Sequence, residues 1–258
     1  MNNMFSDCSN LISLNLSNFN TSSVTSMVSM FNFCSSLISL DLSYFDTSQV
    51  NNMNLMFNGC SNLISLNLSN FNTSSVTSME NMFAGCRALI SFDLSCFDTS
   101  KVNNMNRMFN GCSRLISLDL SNFDALSVVS GNIMFNGCDN LEYINLINAK
   151  INPNIISSSI WSNPPSKLYI CTEDEDWPKI FDLADKQYVN CMNNISSFII
   201  YENEPIIKCY KENLDTDNPC QMCGNNYFNN SGIINNTYIN CYIKIKNRTE
   251  LIQNIINK

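Results

Sequence analysis

The chain has 258 residues, 45% of them hydrophobic, which gives room for one large domain or two smaller ones. Charged residues make up only 14%, about half the usual share, and the net charge of −8 with no run of Lys and Arg leaves nucleic-acid binding without an electrostatic footing. Histidine is absent, which removes the usual general base near neutral pH, every Ser-His or Cys-His pair and the commonest metal ligand.

With no carboxylate or lysine pair in its place, the expectation is a protein that is not an enzyme and uses no cofactor and no metal. No run of 18 apolar residues occurs, so no transmembrane helix is expected. The N-terminus, Met-Asn-Asn-Met-Phe, has neither the charged region nor the apolar core of a signal peptide. Met1 instead falls in register with Met27, Met53, Met79 and Met105. The expectation is a fragment, or a chain started at an internal Met, whose apolar end is uncapped.

The repeat is 26 residues long. Met4, Met30, Met56, Met82, Met108 and Met134 open successive copies. Each is followed by Phe and, four residues on, by Cys8, Cys34, Cys60, Cys86, Cys112 or Cys138. Self-similarity at this period predicts a solenoid. In the copy from Met30 to Leu55, Leu37, Leu40 and Leu42 spell LxxLxL, the leucine-rich-repeat pattern. Leu40-Asp41-Leu42 alternates as a strand with one buried face must. Phe45 follows at the turn, Asp46-Thr47-Ser48 supplies helix-capping side chains, and Val50, Met53 and Phe57 predict a short outer helical turn. The fold class expected is thus an α/β-type repeat solenoid, a parallel strand ladder with short outer helices, followed by a small β-rich cysteine module. The pattern decays at Gly131, Ala125, Ala149 and Ile151, and Asn152-Pro153 breaks it. This sets the solenoid at 1–150, a C-terminal cap region at 151–205 and a cysteine-rich module at 206–258.

A coil cannot bury its apolar side alone, so the Met, Phe and repeat Cys columns read as core, with the thiols buried, reduced and structural. Cys96 occupies a slot that is Asn18, Tyr44, Asn70 or Asn122 elsewhere, and is expected to be an exposed free thiol. The other strand face carries Ser13, Asn15 and Ser17, then Ser39, Asp41 and Ser43, Ser65, Asn67 and Ser69, Ser91, Asp93 and Ser95, and Ser117, Asp119 and Ser121. It reads either as a wetted sheet or as a binding surface for an extended polymer, peptide or glycan; its uniformity argues against a small-molecule pocket. A cation shared by Asp93 and Asp119 is the lesser alternative. The sequons Asn15-Leu-Ser, Asn20-Thr-Ser, Asn67-Leu-Ser, Asn72-Thr-Ser, Asn194-Ile-Ser, Asn229-Asn-Ser, Asn235-Asn-Thr and Asn247-Arg-Thr fit secretion without showing it.

The run MFxxCSxLxSLDLSxFDTSxVxxM resembles the 26-residue repeat of BspA-like leucine-rich-repeat surface proteins, shared with mycoplasma-type surface lipoproteins and large protozoan surface families. The resemblance covers Met1 to about Ala149. It implies a curved right-handed solenoid, cell-surface display, and adhesion, ligand binding or antigenic variation.

Beyond residue 150, Leu168–Cys171, Ser197–Tyr201 and Tyr238–Ile245 read as short strands, and about Asp176 to Lys186 as a helix led by acidic Glu173–Asp176. Cys171, Cys191, Cys209, Cys220, Cys223 and Cys241 read as disulfide candidates in a thin-cored module. Cys171 with Cys191, which bracket the helix, is the first pairing expected. A zinc site from Cys209, Cys220, Cys223 and Cys241 is the rival, but only one CxxC knuckle is present. The CxxCGxxYF run resembles cysteine-rich modules of growth-factor-receptor type. A disulfide module suits the exterior. The expectation is therefore an extracellular or cell-surface adhesion or recognition protein, with a protein or glycan on a host or neighbouring cell as partner. The alternatives are an intracellular interaction scaffold and a coat segment without a specific ligand.

Overall fold

The computed structural model describes residues 1–146, 148–152, 160, 165 and 168–172, and the backbone of 188–190, 208–210 and 221–223. Backbone pairing recurs at an interval of one 26-residue repeat, so equivalent residues of successive repeats lie side by side; the backbone path of one repeat is termed a coil. β1 (Ser39–Asp41) pairs in parallel with β2 (Ser65–Asn67), placing Leu40 beside Leu66 and Asp41 beside Asn67. β3 (Ser117–Asp119) is followed by β4 (Asp124–Ala125), β5 (Tyr143–Asn145), β6 (Lys150–Ile151) and β7 (Tyr169–Thr172). Parallel pairing runs from β3 to β5 to β7, with Ser117, Tyr143 and Tyr169 in one column. β4 pairs with β6. A second column of parallel bridges joins Ser26, Asn52, Ser78, Asn104 and Ser130. β8 (Tyr188–Asn190) pairs with β7 after a shorter step, Ile170 opposite Tyr188, and β9 (Lys208–Tyr210) pairs antiparallel with β10 (Gln221–Cys223). The side-chain pattern decays near residue 150, but the backbone register of one repeat persists through β7.

The core runs along the inside of the coils as columns of like residues. Leu37, Leu63, Leu89, Leu115 and Leu141 are fully buried, as are Phe31, Phe57, Phe83 and Phe109. The phenyl rings stack face to face from Phe5 to Phe135, with centroids 5.4 to 5.8 Å apart and planes within 8° of parallel. Offset stacking at this spacing adds to the burial of each ring. One coil's apolar side is thus covered by the next coil, and the array rather than the single repeat is the packed unit.

The expected outer helical turn is not formed. Among the described residues no helix occurs, and the Val50–Phe57 stretch runs as a bridge and turns. Its alternate amides reach across to the next coil: Met53 N–H to Ser78 O at 3.1 Å, Leu55 to Glu80 at 2.9 Å and Phe57 to Met82 at 2.9 Å. The amides between them close short turns within the coil, as Met56 does to Met53 at 3.3 Å. A helix of this length lacks a favourable nucleus, whereas inter-coil pairing satisfies the same donors immediately. Left-handed residues at Leu55 (φ 59°) and Gly59 (φ 72°) turn the chain on either side of Phe57. Gly85, Gly111 and Gly137 repeat the second of these, but Phe33 holds the same slot at φ 56°. Phe33 is half exposed, and its ring lies over Gly59, where an added Cβ would come within 2.5 Å of Phe33 Cδ1.

Asp46-Thr47-Ser48 likewise does not cap a helix. Thr21, Thr47, Thr73 and Thr99 are buried, with exposures of 0 to 2%, and each hydroxyl bridges to the next coil. Thr47 Oγ1 donates to Asn72 O at 3.0 Å and accepts Asn72 N–H at 2.8 Å; Thr73 does the same to Asp98 at 2.8 Å in both directions. At Ala125 the hydroxyl is missing, and there the backbone itself pairs as β4 with β6.

Candidate ligand-binding face

The strand face is built by columns that the parallel register lines up. Ser39 and Asp41 are exposed and Leu40 between them is buried, so the alternation expected of a one-sided strand holds locally. Ser69, Asp93 and Ser95 are exposed. Ser43, Ser65, Asn67, Ser91, Asp119 and Ser121 are half-buried, and Ser117 is buried. Ser13, Asn15 and Ser17 are exposed. The register thus brings Asp41 beside Asn67 and Ser39 beside Ser65. Beside this face runs a row of outward isoleucines: Ile12, Ile38 and Ile116 are exposed, and Ile64 and Ile90 half-buried.

The Asx column has a structural duty that spacing alone did not reveal. Its side-chain oxygens each accept the backbone N–H two residues on: Asn15 from Ser17 at 3.0 Å, Asp41 from Ser43 at 3.0 Å, Asn67 from Ser69 at 3.1 Å, Asp93 from Ser95 and Asp119 from Ser121 at 2.8 Å. These Asx turns compete with strand pairing and end each strand after three residues. The same device recurs five residues later at Asn20, Asp46, Asn72, Asp98 and Asp124. Across the coils, the Asn145 amide donates to Asp119 Oδ1 at 3.1 Å. The Ser43 backbone N–H, then the Ser43 hydroxyl and the Asn67 amide, hold the Asp41 carboxyl below the usual carboxylate range. Asp46 and Asp98 are lowered by the hydroxyl and then the N–H of Ser48 and Ser100.

The repeat thiols have a hydrogen-bonding role. Cys34, Cys60, Cys86, Cys112 and Cys138 are buried, and each S–H donates to the carbonyl of the Phe in the preceding coil at 3.0 to 3.1 Å. Burial pushes the Cys34 thiol up to about 11 and Cys86 to about 12; Cys60 is also raised, first by burial, and Cys112 by its hydrogen bond with Cys138 and by burial. Two positions depart from expectation. Cys8 is exposed rather than core. Cys96 is half-buried rather than exposed, because its S–H turns in to Leu68 O at 3.1 Å. Of the disulfide candidates, Cys171, Cys209 and Cys223 fall on the backbones of β7, β9 and β10, where Cys209 stands opposite Met222; Cys191, Cys220 and Cys241 lie outside the described residues. The expected helix at 176–186 and the strands at 197–201 and 238–245 also lie outside them.

Away from the strand columns, Glu80, Asn106, Arg107, Asn132 and Ile133 line an open depression of about 430 Å³. Glu80 accepts from Asn104 Nδ2 at 3.1 Å there. Among the described residues no group of three or more Cys, Asp or Glu converges as a metal site, and no helix is long and apolar enough to cross a membrane.

Columns of like side chains, coils bonded edge to edge at one-repeat register and a uniform polar face define a tandem-repeat protein. The family described as "Mycoplasma protein of unknown function, DUF285" matches residues 1–86 and 36–149. These segments together span more than half of the chain, which belongs to this family. Neither a curated protein nor a solved structure matches it.

Proposed function

We propose that this protein is a BspA-like leucine-rich-repeat solenoid shown at the cell surface, and that it works without catalysis by binding a protein or glycan ligand through the strand face. The observation that carries the reading is the surplus of the Asx column over its folding duty. Asn15 and Asn67 make the same turn bond as Asp41 and Asp93, at 3.0 and 3.1 Å against 3.0 and 2.8 Å, so the fold does not require the charge. A face that offers the same groups every 4.8 Å or so suits an extended ligand better than a compact one. Parallel pairing at one-repeat register supports the solenoid part of the reading.

The test is retention of the purified full chain on cultured cells and on a panel of linear glycans, comparing wild type with the triple substitution D41N/D93N/D119N. The turns survive in that variant, so a tenfold fall in retention is the expected result. Equal retention would sink the strand-face reading and leave a coat segment without a specific ligand. The rival intracellular scaffold is decided separately, by whether Cys171, Cys191, Cys209, Cys220, Cys223 and Cys241 resist alkylation until reduced.

A further inference from the structure

We propose that Asn20 and Asn72 are N-glycan acceptor sites, each taking an oligosaccharide on its side-chain nitrogen at the flank of the strand face. The inference rests on the extracellular reading above. The first three coils hold four sequons, at Asn15, Asn20, Asn67 and Asn72, and the tripeptide pattern does not choose among them. Their surroundings do.

Asn20 and Asn72 are exposed at the turn that follows the core Phe. In each, Oδ1 is held by the residue two positions on, through both its N–H and its hydroxyl: 3.1 and 2.8 Å from Ser22 to Asn20, 3.1 and 2.7 Å from Ser74 to Asn72. The middle residue is pinned as well, since Thr21 and Thr73 are buried and bridge to the next coil. With Oδ1 and the middle residue fixed, the amide nitrogen is the group left facing solvent. Asn67 differs: it is half-buried, and Ser69 reaches its Oδ1 through the backbone N–H alone, at 3.1 Å. Asn15 is exposed, but Ser17 reaches it only through the backbone N–H.

The fold has no need of the amide at these turns. Asp46, Asp98 and Asp124 make the same bond to the residue two on, at 3.0, 3.0 and 3.1 Å. A substituent on the nitrogen of Asn20 or Asn72 therefore displaces no bond that holds a coil. The two sites stand two coils apart, about 10 Å, on one flank. The transfer uses a lipid-linked oligosaccharide pyrophosphate and the membrane transferase of the secretory pathway. Asn Nδ2 forms a bond to the anomeric carbon, the carbon–oxygen bond to pyrophosphate breaks, the lipid pyrophosphate leaves with the electron pair, and the amide gives up one proton. Nothing is oxidised or reduced.

The test is expression of the full chain behind a cleavable secretory leader in a eukaryotic cell. The translocated protein is then deglycosylated enzymatically in heavy-oxygen water and its peptides mapped by mass. The expected result is isotope label at Asn20 and Asn72 at ten or more times the occupancy of Asn67. Asn72→Gln should remove the mass of one glycan from the intact protein. Bare Asn20 and Asn72 in translocated chain, or Asn67 occupied as fully as they are, would overturn the assignment. Protein isolated from its own source separates the two ideas: glycan-free native protein beside a glycosylated leader fusion defeats the extracellular reading and leaves the acceptor assignment standing.

Discussion

Replacing Thr73 with Val tests the inter-coil bridge directly. Valine has nearly the shape of threonine, so the 1%-exposed pocket stays filled. What is lost is one oxygen that donates to Asp98 O and accepts Asp98 N–H, both at 2.8 Å. Two backbone groups are then left without partners. An unmade buried bond costs about 1–3 kcal/mol, and because Asp98 itself lies at an exposed turn, water recovers part of that loss. The expectation for Thr73→Val is therefore about 2–3 kcal/mol of destabilisation. Thr73→Ser keeps the hydroxyl and loses one buried methyl, worth about 1 kcal/mol. Urea unfolding of the full chain, followed by ellipticity, ranks the two. If Thr73→Val proves no worse than Thr73→Ser, the hydroxyl is not what joins the coils and the account given of the Thr column is wrong.

Three further outcomes follow from the same geometry. With iodoacetamide at pH 8, the described thiols should separate: Cys8 reacts in the native protein, while Cys34 and Cys86, raised to about 11 and 12 and buried, react only after unfolding, as peptide mapping will show. Gly59→Ala should cost about 1–3 kcal/mol in thermal or urea unfolding, since its φ of 72° is left-handed and its Cβ meets the Phe33 ring. Phe33→Gly in the same chain should recover part of that loss, and simple additivity would remove the ring contact from the explanation. The folded carboxyls of Asp41, Asp46 and Asp98 sit below their unfolded values, so their contribution is present above about pH 4 and fades as pH falls through the lower folded values. A melting curve series from pH 5 to pH 2 should show this acid limb flatten in D41N/D46N/D98N; an unchanged limb assigns it to other groups.

The core was open to reading because it depends on identity at a fixed interval: Leu37, Phe57 and Cys60 recur in register and are buried. Helical spacing here does not make a helix. Val50, Met53 and Phe57 fall at helical spacing, but their coil is turned by left-handed residues and its amides go to the next coil. Thr47 looked like a helix cap because its bonding partner, Asn72, lies 25 residues away, a distance that no local pattern displays. The exposure of Asp41 and Asp93 was legible from alternation, while the bond each makes to the residue two on was equally local and went unread. Cys96 shows the limit of slot arithmetic: a polar slot predicts exposure, yet a thiol can turn inward to a carbonyl where a Tyr does not.

A longer period lies over the shorter one. Residues 8–27 and 60–79 are identical, and Ser26, Asn52, Ser78, Asn104 and Ser130 alternate along their bridge column. Asn54 Oδ1 accepts the Ser78 hydroxyl at 2.6 Å, and Asn106 repeats this with Ser130 at 2.7 Å. The coils therefore come in two kinds, and each kind is made to meet the other. A change of length by two coils keeps Ser against Asn along this column. A change of one coil sets like against like. Along this column the matched unit is therefore the pair of coils, 52 residues, rather than the single repeat.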